Sequence, residues 1–326
     1  MPAIAYPGFE FDYDVELEAS RIRAHQLHRN VPERKPNNLL IASWNFANLG
    51  DSGQQRSLSD LMLMAEILRP FDLIAVQEIK DDFRQFRELL HLLGPDFDYL
   101  ITDRAGNDER LGFVYHVHRV QRMQMTAELV ILPRERPSLK IKQGSKIYSV
   151  KFSGFSRNPY LCAFRSGQLV FTLANVHIYY GAGSGSKYRR RASEVFALAK
   201  WAHHRVTSKA ARTFDHDIIL IGDFNIPKLS AKDAIAQQLI KYGMQPTNHS
   251  SFEGTDLDGR HQYDQIAFHP GHTQNKFSGN SGVFDFDKVL FPDIWERYPR
   301  DDFNRFVRYH ISDHRLLWTE WNNAAP

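Results

Sequence analysis

Residues 217–227 read DIILIGDFNIP, and this stretch decides the fold class. Ile218, Ile219, Leu220 and Ile221 form a continuous apolar run. Such a run suits a short strand buried on both faces, although a buried helix shares the signature. Gly222 interrupts it, and Asp223 and Asn225 follow at once. In α/β sheets, ligands are met just beyond the strand ends. An acid and an amide two residues apart are therefore candidate site residues. Gly, Asp and Asn also favour plain turns, so the stretch alone leaves both readings open.

Working outward, the pattern recurs. LLIASWN (39–45), LIAVQE (73–78) and FTLANVH (171–177) each run from an apolar strand into polar residues. Helical spacing over Leu58–Leu68, stopped by Pro70, separates the first two strands, and Asp81–Leu93 reads as a further helix. Strand–helix–strand–helix points to an α/β chain. Between Tyr99 and Val170, LGFVYHVHRV, AELVILP, SKIYSVKFS and PYLCAFRSG predict antiparallel strands. YYGAGSGSKYRRR (179–191) reads as a glycine-rich loop before a helix over Ala192–His204, and Ala231–Tyr242 as a helix closed by Gly243. Residues 291–310, rich in aromatics and arginines, precede the last strand within HISDHRLLWTEW. They read as a wall of the site or as an ordinary irregular segment.

Residues 1–38 read as an N-terminal extension, with a polar helix over Glu16–Arg29 and the linker VPERKPNN. No boundary follows, so 39–326 is expected to be one catalytic domain. A chain of 326 residues, 42% hydrophobic, can bury a large core. Its net charge of +3 suits an anionic substrate without the dense basic face of a protein that coats nucleic acid. Cys162 is the only cysteine, which excludes an intrachain disulfide and argues against a cysteine-built zinc site. The N-terminus lacks a basic leader, and no apolar run reaches ~18 residues. The expectation is a cytoplasmic protein with no membrane span.

The polar strand-end residues are Asn45, Glu78, His177, Asp223, Asn225, Asp264, Asp313 and His314. Each alone has a plain explanation as a cap, a turn residue or a core histidine. As a set they make chemical sense. Carboxylate and amide oxygens suit a hard divalent cation, magnesium or manganese. Histidines suit proton transfer near neutral pH. Amide donors can stabilise charge on a pentacovalent phosphate. Together these describe metal-assisted phosphodiester hydrolysis.

Seven motifs stand in one order along residues 39–321: SWN (43–45), VQE (76–78), SRNP (156–159), NVH (175–177), GDFN (222–225), YDQI (263–266) and SDH (312–314). In these the chain resembles the endonuclease/exonuclease/phosphatase superfamily, which has the DNase I-like fold. The resemblance implies a four-layer α/β sandwich, two packed mixed β-sheets flanked by helices, with the site at one end of the sheet pair. It implies that Glu78 is the principal metal ligand, with Asn45 and Asp313 beside it. Asp223 then activates or orients the attacking water or helps to hold a second metal, and Asn225 donates to the phosphate. His177 and His314 flank the scissile phosphate. Asp264 would orient His314, and Glu109 would orient His177. Arg157 matches the family's phosphate-contacting arginine.

Substrate choice is less legible. Ala47 stands where many abasic-site endonucleases carry an acid. Lys187, Arg189, Arg190 and Arg191 follow His177 and could track a phosphate backbone, with Tyr179, Tyr180 and Tyr188 stacking on bases. Alternatively, some of these arginines lie on a solvated helix face and pair with Glu194. Lys80 occurs in nuclease members, or is simply a lysine at a helix start. The expected function is a Mg2+- or Mn2+-dependent nuclease acting on DNA, with RNA admitted. A phosphatase or phosphodiesterase of a small or lipid phosphate, and an inactive binding member of the fold, are the alternatives. No protein partner is implied.

Overall fold

The computed structural model describes residues 4–208, 217–230, 232–247 and 253–324. In chain order the first elements are α1 (Val15–His28), β1 (Asn38–Leu49), α2 (Leu58–Leu68), β2 (Leu73–Ile79), α3 (Phe83–Leu93), β3 (Phe97–Ile101) and β4 (Arg110–His116). There follow β5 (Gln121–Glu128), β6 (Ser138–Gln143), β7 (Lys146–Lys151), β8 (Tyr160–Ser166), β9 (Leu169–His177), α4 (Gly185–Thr207) and β10 (Ile218–Asp223). The last are α5 (Ala236–Ile240), β11 (Gln245–Pro246), β12 (Asp264–Phe268), α6 (Pro270–Thr273), β13 (Phe277–Phe284), α7 (Pro292–Arg297), α8 (Arg300–His310) and β14 (Leu316–Asn322).

Two six-stranded sheets form, in the orders β13-β14-β1-β2-β4-β3 and β11-β12-β10-β9-β8-β5. Each is mixed: β1–β2 and β9–β10 run parallel, and the other neighbours run antiparallel. The alternation along β10 explains its apolar run. Ile218 and Leu220 pack with Val195 and Leu198 of α4 and Leu239 of α5. Ile219 and Ile221 turn the other way, into a core shared with Leu39 and Ile41 of β1. Each such side chain contributes roughly 1.5–3 kcal/mol by leaving water. On β1, Leu40, Ala42 and Trp44 face the opposite helical layer, with Leu61 and Met64 of α2 and Phe303 and Phe306 of α8. The result is helices, sheet, sheet, helices, the four-layer sandwich expected from the sequence.

Helix α1 belongs to that outer layer. Ile22 joins its core, Glu18 accepts the Phe291 N–H at 3.0 Å, and His25 Nε2 lies 2.8 Å from Asp285.

Four local expectations need correction. The helix after His177 begins at Gly185, so Lys187 and the three arginines sit on its first turns and not in a loop. The strand expected over AELVILP ends at Glu128; Pro133 cannot donate to a ladder, and the chain leaves the sheet. Ala231 lies outside the described residues, and the helix there starts at Ala236, where Asp233 Oδ1 accepts the N–H groups of Ile235 and Ala236. Residues 291–310 form two helices; Phe303, Phe306 and Val307 of α8 face inward at helical spacing between exposed charges.

Candidate active site

Both parallel strand pairs end at the same edge of the sandwich. In the second sheet, His177 is the register partner of Asp223, and Asp264 is its partner on the other side. In the first sheet Asn45 pairs with Gln77, beside Glu78. The two sheets meet where Asn45 Nδ2 donates to Glu78 Oε1 at 2.9 Å and lies 3.4 Å from Asp223 Oδ2. The loop before β14 is pinned to the end of β1. Trp44 Nε1 donates to the His314 carbonyl at 2.7 Å, and Ser312 Oγ donates to the Asn45 carbonyl at 2.7 Å. The SWN and SDH motifs thus fix one another.

Two histidines converge there. His177 Nδ1 lies 3.1 Å from Glu109 Oε2, and its Nε2 lies 3.4 Å from Asp223 Oδ2. His314 Nδ1 lies 2.8 Å from Asp264 Oδ2, and its Nε2 lies 3.9 Å from the same Asp223 oxygen. Burial disfavours a charged His314, but Asp264, Asp223 and Asp313 outweigh it and raise its pKa well above the ordinary value. Burial raises the Asp223 carboxyl against the opposing pull of both histidines. The Asn225 N–H donates to Asp223 Oδ1 at 2.8 Å, and its Nδ2 donates to the Ile178 carbonyl at 2.8 Å. Asn225 holds φ +51°, a left-handed turn that Asn tolerates better than most residues.

Glu78 also sits at positive φ, +61°, which is strained for a glutamate. Asn45 and the Asn48 N–H (3.1 Å) hold its carboxylate in place. Burial and then Glu109 push its pKa up. A buried carboxylate beside other carboxylates gains most from a cation, so the donor chemistry fits a hard divalent ion. Glu78, Glu109 and His177 place donor atoms within 4.8 Å of one another. Glu109, however, already faces cations. Burial raises it, but His177, Arg157 (Nε at 3.1 Å) and Lys80 (Nζ at 3.5 Å) hold it down at about 2. Glu109 therefore suits orienting His177, and Glu78 suits a metal. The Asn45 side-chain oxygen Oδ1 accepts the Ala47 N–H at 2.9 Å, so Asn45 here orients Glu78. Asp313 is paired with Arg308 at 3.0 Å and is partly exposed at the rim, close enough to raise Glu78.

Among the residues expected to bind substrate, Arg157 is buried against Glu109 with Nη2 unpartnered. Arg189 stacks over Tyr148 (4.1 Å) and donates to Gln143, and Arg190 stacks over Tyr179 (4.3 Å) and pairs with Glu194 at 3.5 Å. Lys187 and Tyr180 are exposed beside them. Arg191 departs from the expected backbone contact: it is buried, and it donates to the carbonyls of Asn225 (3.0 Å) and Ala182 (3.1 Å).

No protein-family profile matches the chain, and no curated protein matches it in sequence. Solved structures do match in shape. An endonuclease/exonuclease/phosphatase from Bacteroides vulgatus superposes with a TM-score of 0.54 at 11% identity, covering 87% of this chain and 98% of that one. The chain has the endonuclease/exonuclease/phosphatase fold. The human Nocturnin catalytic domain, solved with sulfate, is similar at TM-score 0.51 and 13% identity, over 89% of this chain and 96% of that one. A 3′-5′ exonuclease from Neisseria meningitidis is similar at 0.52 and 14%, over 87% and 100%. At these identities the likeness speaks for the endonuclease/exonuclease/phosphatase fold alone.

Sequence reasoning gave no role to Gln77 or Asn175 and did not place Lys80 or Glu194 within the site. Gln77 donates to Asn175 Oδ1 at 2.8 Å and ties the two sheets together directly below it. Both stand inside quoted motifs, VQE and NVH, which was the available signal. Lys80 is no helix-start lysine, because α3 begins at Phe83; it is buried on Glu109 and on the Asn107 carbonyl. Glu194 is buried and accepts the N–H groups of Ser156 (3.1 Å) and Tyr179 (3.0 Å).

Proposed function

We propose that this chain is a divalent-metal-dependent phosphodiester hydrolase, a nuclease acting on DNA. The observation that carries the reading is the pair of carboxylate-held histidines turned toward one oxygen of Asp223. Glu78, oriented by Asn45 and with Asp313 at the rim beside it, would hold magnesium or manganese, which supplies Lewis-acid polarisation of a phosphoryl oxygen when bound. Asp223 orients the attacking water and draws on its proton; its raised pKa suits that role. His314, kept protonated by Asp264, donates toward the developing negative charge. Arg157 Nη2 and the second Asn225 amide hydrogen supply further donors for the phosphate. The similar Neisseria protein, described as a 3′-5′ exonuclease, supports a nucleic-acid substrate.

The test is purified protein with Mg2+ or Mn2+ on plasmid, single-stranded DNA and RNA, with Asp223→Ala as control. Metal-dependent cleavage of DNA, absent in the variant, is expected. If all three stay intact while an inositol phosphate or sphingomyelin is hydrolysed, the nuclease reading gives way to a small-ester one.

A further inference from the structure

The β6–β7 hairpin lies outside both main sheets. Leu139 and Ile141 on one face join the core beneath α4, and Tyr148 and Val150 pack beside them. Register puts Lys140 opposite Ser149, and Lys151 opposite Ser138, on the other face, which is exposed. Lys142 shares that face, and Lys146 stands exposed at the turn. No residue from 138 to 153 is acidic, nor is any from 178 to 193. None of the four hairpin lysines forms an ion pair among the described residues. The hairpin and the first turns of α4 enclose a cleft of about 490 Å³, lined by Ser149, Lys151 and Ser153 on one side and Lys187, Arg189 and Arg190 on the other. Tyr179, two residues past His177, lines it as well.

We propose that this hairpin and the start of α4 form a track for the phosphate backbone of a single nucleic-acid strand, leading it to the catalytic edge. The inference rests on the nuclease reading above and adds a second element to it, one that no catalytic motif contains. A groove walled by cations and serine hydroxyls matches phosphate oxygens. The stacked Arg189–Tyr148 and Arg190–Tyr179 pairs stiffen its walls. An anionic membrane fits less well: Ile147 is the one large apolar side chain strongly exposed on the hairpin, and surface insertion calls for an apolar face.

The experiment measures binding of a fluorescent single-stranded oligonucleotide by anisotropy over a salt series, for wild type and for the quadruple variant Lys140→Ala, Lys142→Ala, Lys146→Ala, Lys151→Ala. Affinity should fall at least about tenfold, and the slope of log K against log salt should shrink by about 2–3, from roughly 0.7 per phosphate contact. Cleavage of the oligonucleotide should fall by a larger factor than hydrolysis of bis(p-nitrophenyl) phosphate. A Lys151→Glu, Lys187→Glu variant, one residue from each wall of the cleft, with an unchanged circular dichroism spectrum repeats the measurement if the quadruple variant folds poorly. Unchanged affinity and slope overturn the track. So does loss of binding to phosphatidylserine vesicles with oligonucleotide binding retained. Wild-type protein that binds the oligonucleotide but hydrolyses no diester would instead overturn the nuclease reading.

Discussion

His177 and His314 approach one atom, Asp223 Oδ2, with their Nε2 nitrogens at 3.4 and 3.9 Å. They come from different sides of Asp223, one from the parallel neighbour β9 and one from the loop before β14. Asp223 is buried, and burial makes its charge costly to the fold. Function and stability therefore pull in opposite directions at this residue. Asp223→Asn keeps an oxygen for the Asn225 N–H but cannot take a proton. It should lose at least about 100-fold in kcat while melting at or above the wild-type temperature. Steady-state kinetics and thermal denaturation check both halves; normal turnover with a lowered melting point would reverse the assignment.

Glu78 makes a separate prediction about the metal. A ligand that binds only the folded state stabilises it by RT ln(1 + [L]/Kd), about 2.7 kcal/mol at a hundredfold excess over Kd. Mg2+ or Mn2+ should raise the melting temperature of the wild type and leave that of Glu78→Gln unmoved. The variant alone should not be less stable, because it removes a carboxylate that burial and Glu109 already disfavour. An equal metal-induced shift in both proteins would place the ion elsewhere.

The motif chemistry of this site was legible because it is local. Gly222 shows why. It has φ +131°, and a Cβ there would lie 2.1 Å from the Val176 carbonyl, so glycine must precede Asp223 for β9 and β10 to close. Helix α2 was readable for a like reason: its Leu, Met and Ile recur at helical spacing and Pro70 follows its end. What escaped was long-range. Arg191 meets the Asn225 carbonyl 34 residues away, and Glu194 meets the Ser156 N–H 38 residues away. No spacing rule links such positions, so a run of arginines resembled a solvent-facing patch. Helix α8 escaped because charges on its outer face filled the gaps between Phe303, Phe306 and Val307.

Arg157 and Glu109 form a buried pair at 3.1 Å, with both side chains nearly inaccessible. Removing one partner of such a pair strands the other charge and typically costs about 3–5 kcal/mol. Lys80 and His177 still face Glu109 after Arg157→Met, so the loss should fall near the lower end, about 3 kcal/mol. Urea denaturation measures it. Turnover should fall as well, because His177 loses a firmly held Glu109. A stability loss below ~1 kcal/mol would mean that Lys80 and His177 satisfy the carboxylate without Arg157.

Glu194 sets a pH dependence. Its carboxyl is buried on α4, and burial raises its pKa from 4.5 to about 7 despite the N–H groups of Tyr179 and Ser156 and the nearby Arg190 and Arg157. A carboxyl raised on folding binds its proton more tightly in the native than in the unfolded chain. Its contribution is complete below pH 4.5 and is lost as pH rises through about 7. Between those limits the wild type should lose on the order of 3 kcal/mol relative to Glu194→Gln, which cannot ionise. The gap between the two melting temperatures should therefore shift in favour of the variant from acid to neutral pH. Glu194 also anchors Ser156, next to Arg157, and Tyr179, two residues past His177. A neutral amide keeps one acceptor for these two N–H groups, so the variant should show weakened turnover even where it is the more stable protein. Parallel melting curves across that pH range would show that Glu194 stays ionised in the folded chain, and the stability term assigned to its proton would be withdrawn.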